Sequence, residues 1–267
     1  MKELKEKARD LLKNKDVQVV IGYGDGTGGK PRAIFIRDPK DAERLIFDEK
    51  CEQNLAVYLM KHEVKKLGRP AIVATIPVVR SIIQLAAENQ IAEGSIVILA
   101  VTPDGKLTEI KTLRDAETFV SSNPPHTRPE DLEKLERIEK MTVEERWTYW
   151  LDELSRCFKC YACRSSCPMC YCERCTIECN QPQWVSPASH HLGNVEWHII
   201  RAMHIAGRCV NCGECARACP LDIPINLLTL KVSEDIRKNF GLTAGMSATL
   251  EYALSTFKTD DKEEFIR

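Results

Sequence analysis

The 267 residues suffice for one or two domains with a sizeable core, and 38 Lys and Arg against 39 Asp and Glu leave a formal net charge of −1. So even a balance gives no bulk attraction to nucleic acid or to an anionic membrane surface, and neither is expected as a partner. No apolar run reaches the length of a membrane span, and thirteen cysteines behind a charged N-terminus without a secretory leader point to a reducing cytoplasm rather than to disulfides.

Taken in chain order, the opening MKELKEKARDLLKNKD places Leu4, Ala8, Leu11 and Leu12 on one face of a charged helix. Residues 17–23 and 32–37 read as strands on either side of the run Gly22-Tyr-Gly24-Asp-Gly26-Thr-Gly28-Gly29-Lys30. A dinucleotide or phosphate loop needs a helix directly behind it, whose N-terminus receives the phosphate. Here Pro31 and a strand follow, so a hairpin turn is expected and the loop gives no support for FAD or another nucleotide, although Lys30 is available to a phosphate. Helices are predicted from Asp41 and over 54–67, the latter closed by Gly68 and Pro70. A strand over 71–76, a helix over 78–90 and a buried strand over 95–102 follow. Short apolar strands divided by helices predict an α/β N-terminal domain over residues 1–120 with a partly parallel sheet. Residues 121–130, with Pro124, Pro125 and Pro129, read as a linker. Beyond it, residues 131–267 are expected to form a mainly α-helical domain. A charged helical stretch over 130–156 is anchored there by Trp147, Trp150 and Leu151. Further helices over 194–206 and 227–239 end near Gly207 and Gly241.

Twelve of the thirteen cysteines lie between Cys157 and Cys219. Two near-copies of one spacing organise them: Cys157-x2-Cys160-x2-Cys163-x3-Cys167-Pro168 and Cys209-x2-Cys212-x2-Cys215-x3-Cys219-Pro220. Three close thiolates hold three corners of an iron–sulfur cube, and the fourth, followed by proline, reaches the neighbouring cluster. The spacing therefore predicts two 4Fe-4S clusters, one on Cys157, Cys160, Cys163 and Cys219, the other on Cys209, Cys212, Cys215 and Cys167. A zinc ribbon would show paired C-x2-C rather than triplets. The long gap from Cys167 to Cys209 and the flanking helices favour the all-helical dicluster ferredoxin arrangement. Cys170, Cys172, Cys175 and Cys179 crowd behind the first motif and form a candidate third site for iron–sulfur or zinc, which Cys51 could join through space. The alternative is thiols that pack beside the clusters. His198 and His204 miss the same-face spacing of a helical zinc pair, and His190-His191 follows a turn-rich segment, so these read as surface or packing residues. No Ser, His and Asp arrangement suggests nucleophilic chemistry.

The strings Cys51-Glu-Gln-Asn54-Leu-Ala-Val-Tyr58-Leu59 and Val79-Arg-Ser-Ile-Ile-Gln-Leu-Ala-Ala-Glu88-Asn-Gln90-Ile91 resemble the beta-subunit family of deazaflavin-coenzyme-reducing hydrogenases and formate dehydrogenases. The stretches from Arg156 to Cys172 and from Ala206 to Cys215 resemble members carrying a C-terminal dicluster module. The resemblance implies an iron–sulfur subunit of a larger anaerobic oxidoreductase. Such a subunit passes electrons between a catalytic subunit and a flavin-bearing or heterodisulfide-reductase-type partner. Two departures stand out. Many relatives carry Gly-Cys-Asp where this chain has Thr75-Ile76-Pro77, and the family tends to place a cysteine after the next strand, where this chain reads Val101-Thr-Pro-Asp-Gly105. Both argue against an N-terminal cluster and a transferred FAD site, and leave the N-terminal domain as a docking scaffold. Two other readings are a self-contained flavoenzyme reducing a deazaflavin or nicotinamide and a zinc-stabilised interaction module. Flavin absorbance and metal analysis separate them.

Overall fold

The computed structural model describes residues 1–124, 127–177, 179 and 181–249. They form two compact units, residues 1–124 with 245–249, and residues 127–244. Pro125 and His126 of the expected linker, and 250–267 of the expected helical domain, lie outside the described residues.

In the first unit α1 (Lys2–Lys13) buries Leu4, Ala8, Leu11 and Leu12, the face that the spacing predicts. β1 (Val19–Gly24) and β2 (Arg32–Ile36) pair antiparallel, from Val20 opposite Ile36 to Gly24 opposite Arg32. The glycine run is therefore the connection of a hairpin, with one 3-10 turn at Thr27–Gly29. Two expected helices differ. The one from Asp41 is a 3-10 turn, Pro39–Arg44, capped by Asp38, which accepts from the Lys40 amide at 2.9 Å. The one over 54–67 is broken into a 3-10 turn, Leu55–Met60, an extended Lys61, and α2 (His62–Lys65). The cause is that Leu55, Ala56, Val57 and Leu59 are all buried, whereas a regular helix would turn some of these consecutive positions outward. Asn54 pins the segment, accepting from the Ala56 amide at 3.2 Å and donating to Ser81 Oγ at 2.8 Å.

β3 (Pro70–Ala74), α3 (Ile76–Ala87), β4 (Val97–Val101), β5 (Leu107–Ile110) and α4 (Leu113–Ser122) complete this part of the chain. The sheet runs β2-β1-β3-β4-β5, with β1–β3 and β3–β4 parallel and both outer pairs antiparallel. β1 and β4 are buried at every position, which explains their continuous apolar runs. β5 and α4 carry no strong apolar pattern; Thr112 caps α4 by accepting from the Asp115 amide at 3.1 Å. After Ala244 the chain returns to this unit. The Gly245 amide donates to Gln84 Oε1 at 2.9 Å and the Ala248 amide to Glu117 Oε1 at 2.6 Å. Residues 245–249 thus depart from the expectation that everything from 131 onward packs as one domain.

The second unit holds α5 (Pro129–Glu139), α6 (Val143–Ser155), α7 (Ala162–Ser165), α8 (His191–His204), α9 (Glu214–Arg217) and α10 (Ile225–Phe240). The single stretch expected over 130–156 is two helices. Thr142 starts the second, its Oγ1 accepting from the Glu145 amide at 3.2 Å while Glu145 Oε2 accepts from the Thr142 amide at 2.8 Å. Trp147 is 53% exposed and anchors nothing, whereas Trp150 and Leu151 pack on a core of Leu154, Trp197, Ile223 and Ile225. Leu135 and Ile138 meet Leu227 and Leu230 in a second core. α8 begins earlier than expected because His190 Nδ1 accepts from the Gly193 amide at 3.3 Å. Gly207 and Gly241, at φ +72° and +68°, follow α8 and α10 as predicted. Among the described residues no helix is long and apolar enough to cross a membrane.

Gly245 sits at φ +72°, and a Cβ there would lie 2.4 Å from the Arg80 carbonyl oxygen. Gly245→Ala should lower stability to urea by about 1–3 kcal/mol and speed amide exchange in α3 and α4. Gly94, at φ +70° with nothing within 4 Å of a new Cβ, is the control. Equal losses from Gly245→Ala and Gly94→Ala would assign the whole effect to backbone strain and none to the Arg80 contact.

Candidate metal centre

The two cysteine motifs adopt one backbone. In each, the second residue after the first cysteine is left-handed, Lys159 at φ +55° and Asn211 at +57°. Its amide turns back to that cysteine, Lys159 N to Cys157 Sγ at 3.3 Å and Asn211 N to Cys209 Sγ at 3.4 Å. The fourth residue after it is left-handed again, Tyr161 at φ +58° and Gly213 at +76°, and launches a single helical turn, α7 or α9. Each turn is closed by the motif's last cysteine, Cys167 donating to the Arg164 carbonyl at 3.1 Å and Cys219 to that of Ala216 at 3.0 Å. A repeat in sequence has become a repeat in conformation, and non-glycine residues hold the left-handed region at three of the four positions.

α7 and α9 pack against each other, and Ser166 Oγ donates to the Glu214 carbonyl at 3.4 Å. This contact sorts the thiols. The electrostatic neighbours of Cys157 are Cys160 and Cys219, and those of Cys163 are Cys157, Cys160 and Cys219. Cys209 faces Cys167, and Cys215 faces Cys209, Cys167 and Cys212. The last cysteine of each motif thus stands with the other motif's triplet. Burial pushes the Cys163 thiol up to about 11 and raises those of Cys157, Cys209 and Cys215 as well. Thiols so placed ionise only against a strong positive partner, and a coordinating metal removes the proton outright.

α8 forms the wall behind them. Asn194, His198 and Arg201 share one face of the helix and are almost wholly buried. Asn194 Nδ2 donates to the carbonyls of Cys157 at 2.7 Å and Leu154 at 3.1 Å, and Arg201 Nη2 donates to that of Cys163 at 3.0 Å. His198 is held neutral, its pKa lowered to about 4 by burial and then by Arg201 and Lys159. Trp197 Nε1, Arg201 Nε and both ring nitrogens of His198 are buried without a hydrogen-bond partner. Cysteine-only donors in two fours, backed by buried N–H groups with no acceptor, suit a sulfide-bearing cluster better than an all-protein core. Among the described residues no three His, Cys, Asp or Glu side chains converge around one point as the ligands of a single ion would. A cube distributes its four thiolates over four iron atoms, so its ligands need not converge in that way.

The other five cysteines are dispersed. Cys170 donates to Cys167, which lowers the Cys167 thiol and raises its own. Cys175 packs on the Leu154–Trp197 core, while Cys172 and Cys179 are exposed. Cys51 belongs to the first unit, where its Sγ accepts from the Asp48 amide at 3.4 Å and burial pushes its thiol up to about 11. The buried polar face of α8 escapes sequence reading. Its only signal is three polar residues at helical spacing on a helix between two cysteine motifs.

No family model matches the chain. It is 35% identical over 108 residues to the F420-dependent formate dehydrogenase subunit beta of Methanocaldococcus jannaschii, a match covering 40% of this chain and 27% of that protein. It is 31% identical over 150 residues to the F420-dependent formate dehydrogenase 1 subunit beta of Methanococcus maripaludis, covering 50% and 38% respectively. The chain therefore spans well under half the length of these relatives. Over the matched stretch it is related to the beta-subunit family of deazaflavin-reducing oxidoreductases, as its sequence resemblance implies.

Proposed function

We propose that the chain is an iron–sulfur electron-relay subunit of an anaerobic oxidoreductase complex of the F420-dependent formate dehydrogenase type. Residues 127–244 act as a mainly α-helical dicluster ferredoxin-type domain, and the α/β unit acts as a docking scaffold for catalytic and flavin-bearing subunits. The observation that carries the reading is the exchange of Cys167 and Cys219 between the two triplets, the arrangement that two interlocked 4Fe-4S clusters require. When bound, such clusters accept and release single electrons. The chain's own residues supply the eight thiolates, the amides of Lys159 and Asn211 that donate to Cys157 and Cys209, and an apolar core that buries Cys163 and Cys215. Among the described residues neither a phosphate loop nor an acid–base pair accompanies these groups, and in this reading bond chemistry on an organic substrate falls to a partner.

Protein purified under anoxia should contain about eight irons per chain with matching acid-labile sulfide and no flavin absorbance. Iron well beyond that, or about one zinc per chain, would assign metal to the set Cys170, Cys172, Cys175 and Cys179, with or without Cys51. Zinc without sulfide would establish the interaction-module reading instead.

Cys219→Ser should abolish the cluster of the first motif, although Cys219 lies in the second. Its residual EPR signal should match that of Cys160→Ser and differ from that of Cys212→Ser. A signal matching Cys212→Ser would refute the exchange.

The isolated, cluster-replete chain should not turn over F420 or a nicotinamide, and activity should appear when formate dehydrogenase partner subunits are added. Turnover by the chain alone at about ten per second would overturn the relay assignment.

A further inference from the structure

Arg201 is 4% exposed, and among the described residues it pairs with no carboxylate. A buried guanidinium costs several kcal/mol unless opposite charge compensates it. Its Nη2 is committed to the Cys163 carbonyl at 3.0 Å and it donates to the Cys170 sulfur, while its Nε, fully buried, has no acceptor. Thiols surround it: Cys167, Cys170 and Cys215 foremost, then Cys163, with Cys209 also in its field. Three of these belong to the four that include Cys212; only Cys163 belongs to the four that include Cys157. The positive charge is thus shared between the two sets, and unequally.

We infer that Arg201 is the fixed counter-charge of the cluster pair and sets the reduction potential of the cluster on Cys167, Cys209, Cys212 and Cys215 above that of the cluster on Cys157, Cys160, Cys163 and Cys219. This rests on the two-cluster reading given above. The physical step is simple. Adding an electron makes a thiolate-ligated cluster more negative by one charge, and a cation held nearby in a medium of low dielectric favours that form. The unpartnered Nε is a further buried N–H donor, and hydrogen bonds near the sulfurs act in the same direction. Because the guanidinium cannot lose its proton, the bias is permanent. An electron entering at the first set, where Cys160 is exposed, then passes downhill to the second. Arg201 is a positioning residue: it ligates nothing and transfers nothing.

The test is an EPR-monitored redox titration of the full chain, purified under anoxia, as wild type, Arg201→Met and Arg201→Lys, with iron counted in each. Arg201→Met should keep about eight irons and lower one midpoint potential, that of the signal absent from Cys212→Ser, with a smaller shift in the other. Arg201→Lys should stay near the wild-type midpoints, since it keeps the charge. Unmoved midpoints in an iron-replete Arg201→Met, equal shifts of both signals, or Arg201→Lys behaving like Arg201→Met would each overturn the assignment. Should Arg201→Met fail to hold iron, an iron-replete Arg201→Lys with wild-type midpoints supports the charge role, and loss of iron from both variants overturns it. A wild-type iron count far below eight would instead sink the two-cluster reading, and this proposal with it.

Discussion

In the proposed two-cluster reading, the second unit depends on one reciprocal exchange: the final cysteine of each motif leaves its own triplet and stands with the other. Cys167 and Cys219 can do so only if the two loops lie face to face, which is how α7 and α9 pack. That demand fixes the local backbone as well. A C-x2-C-x2-C loop that wraps its first sulfur with its own amide must turn left-handed twice, and it does so at Lys159, Tyr161, Asn211 and Gly213. Only one of the four is glycine. The others hold a conformation that costs on the order of 1–3 kcal/mol each, so the surroundings must over-determine it. For Lys159 the determinant is visible: its buried ammonium donates to the Ser186 carbonyl, which ties the loop to the segment that precedes α8.

The long gap between the motifs holds α8, His191–His204. Its apolar residues Val195 and Trp197 join the core around Cys163 and Cys215, and Trp197 packs on Tyr161 with ring centroids 5.4 Å apart. Its polar residues Asn194 and Arg201 bind loop carbonyls of the first motif. The helix is thus a strut whose polar groups satisfy backbone that a tight cysteine loop cannot pair internally.

What could be read from the sequence follows from the range of the interaction behind each feature. Ligand spacing, the apolar face of α1, the glycine hairpin and the glycine stops after α8 and α10 are local, and sequence carries them directly. The break at Lys61 is not local: it arises because four nearly consecutive apolar residues find cover on several sides at once. β5 is missed because an edge strand of Leu107-Thr-Glu-Ile110 has too little apolar content to stand out. The return of residues 245–249 to the first unit depends on Gln84 and Glu117, more than a hundred residues earlier. Trp147 misleads for the converse reason, since aromatic size suggests an anchor while the helix turns that position to solvent. Arg201 is the sharpest case. A lone arginine on a helix reads as surface until the thiols around it are known.

The departures from the family pattern in the first unit have a structural counterpart. Where relatives carry Gly-Cys-Asp, Thr75 is the extended residue before α3 and Pro77 occupies the helix's first turn, a position suited to a residue without an amide hydrogen. Behind it Val78 and Val79 are completely buried, so the start of the helix is spent on packing. After β4, where a cysteine would be expected, Thr102 closes a turn by donating to Asp104 and to the Lys106 carbonyl at 3.2 Å. Both places are taken by groups that satisfy the fold locally. The nearest remaining thiol in that unit by sequence, Cys51, is engaged with Asp48. A ligand site there would have to displace hydrogen bonds and core packing already made, whereas on α8 of the second unit Trp197 Nε1, Arg201 Nε and the His198 ring nitrogens are buried without a hydrogen-bond partner. These local engagements favour the proposed assignment of the redox chemistry to residues 127–244.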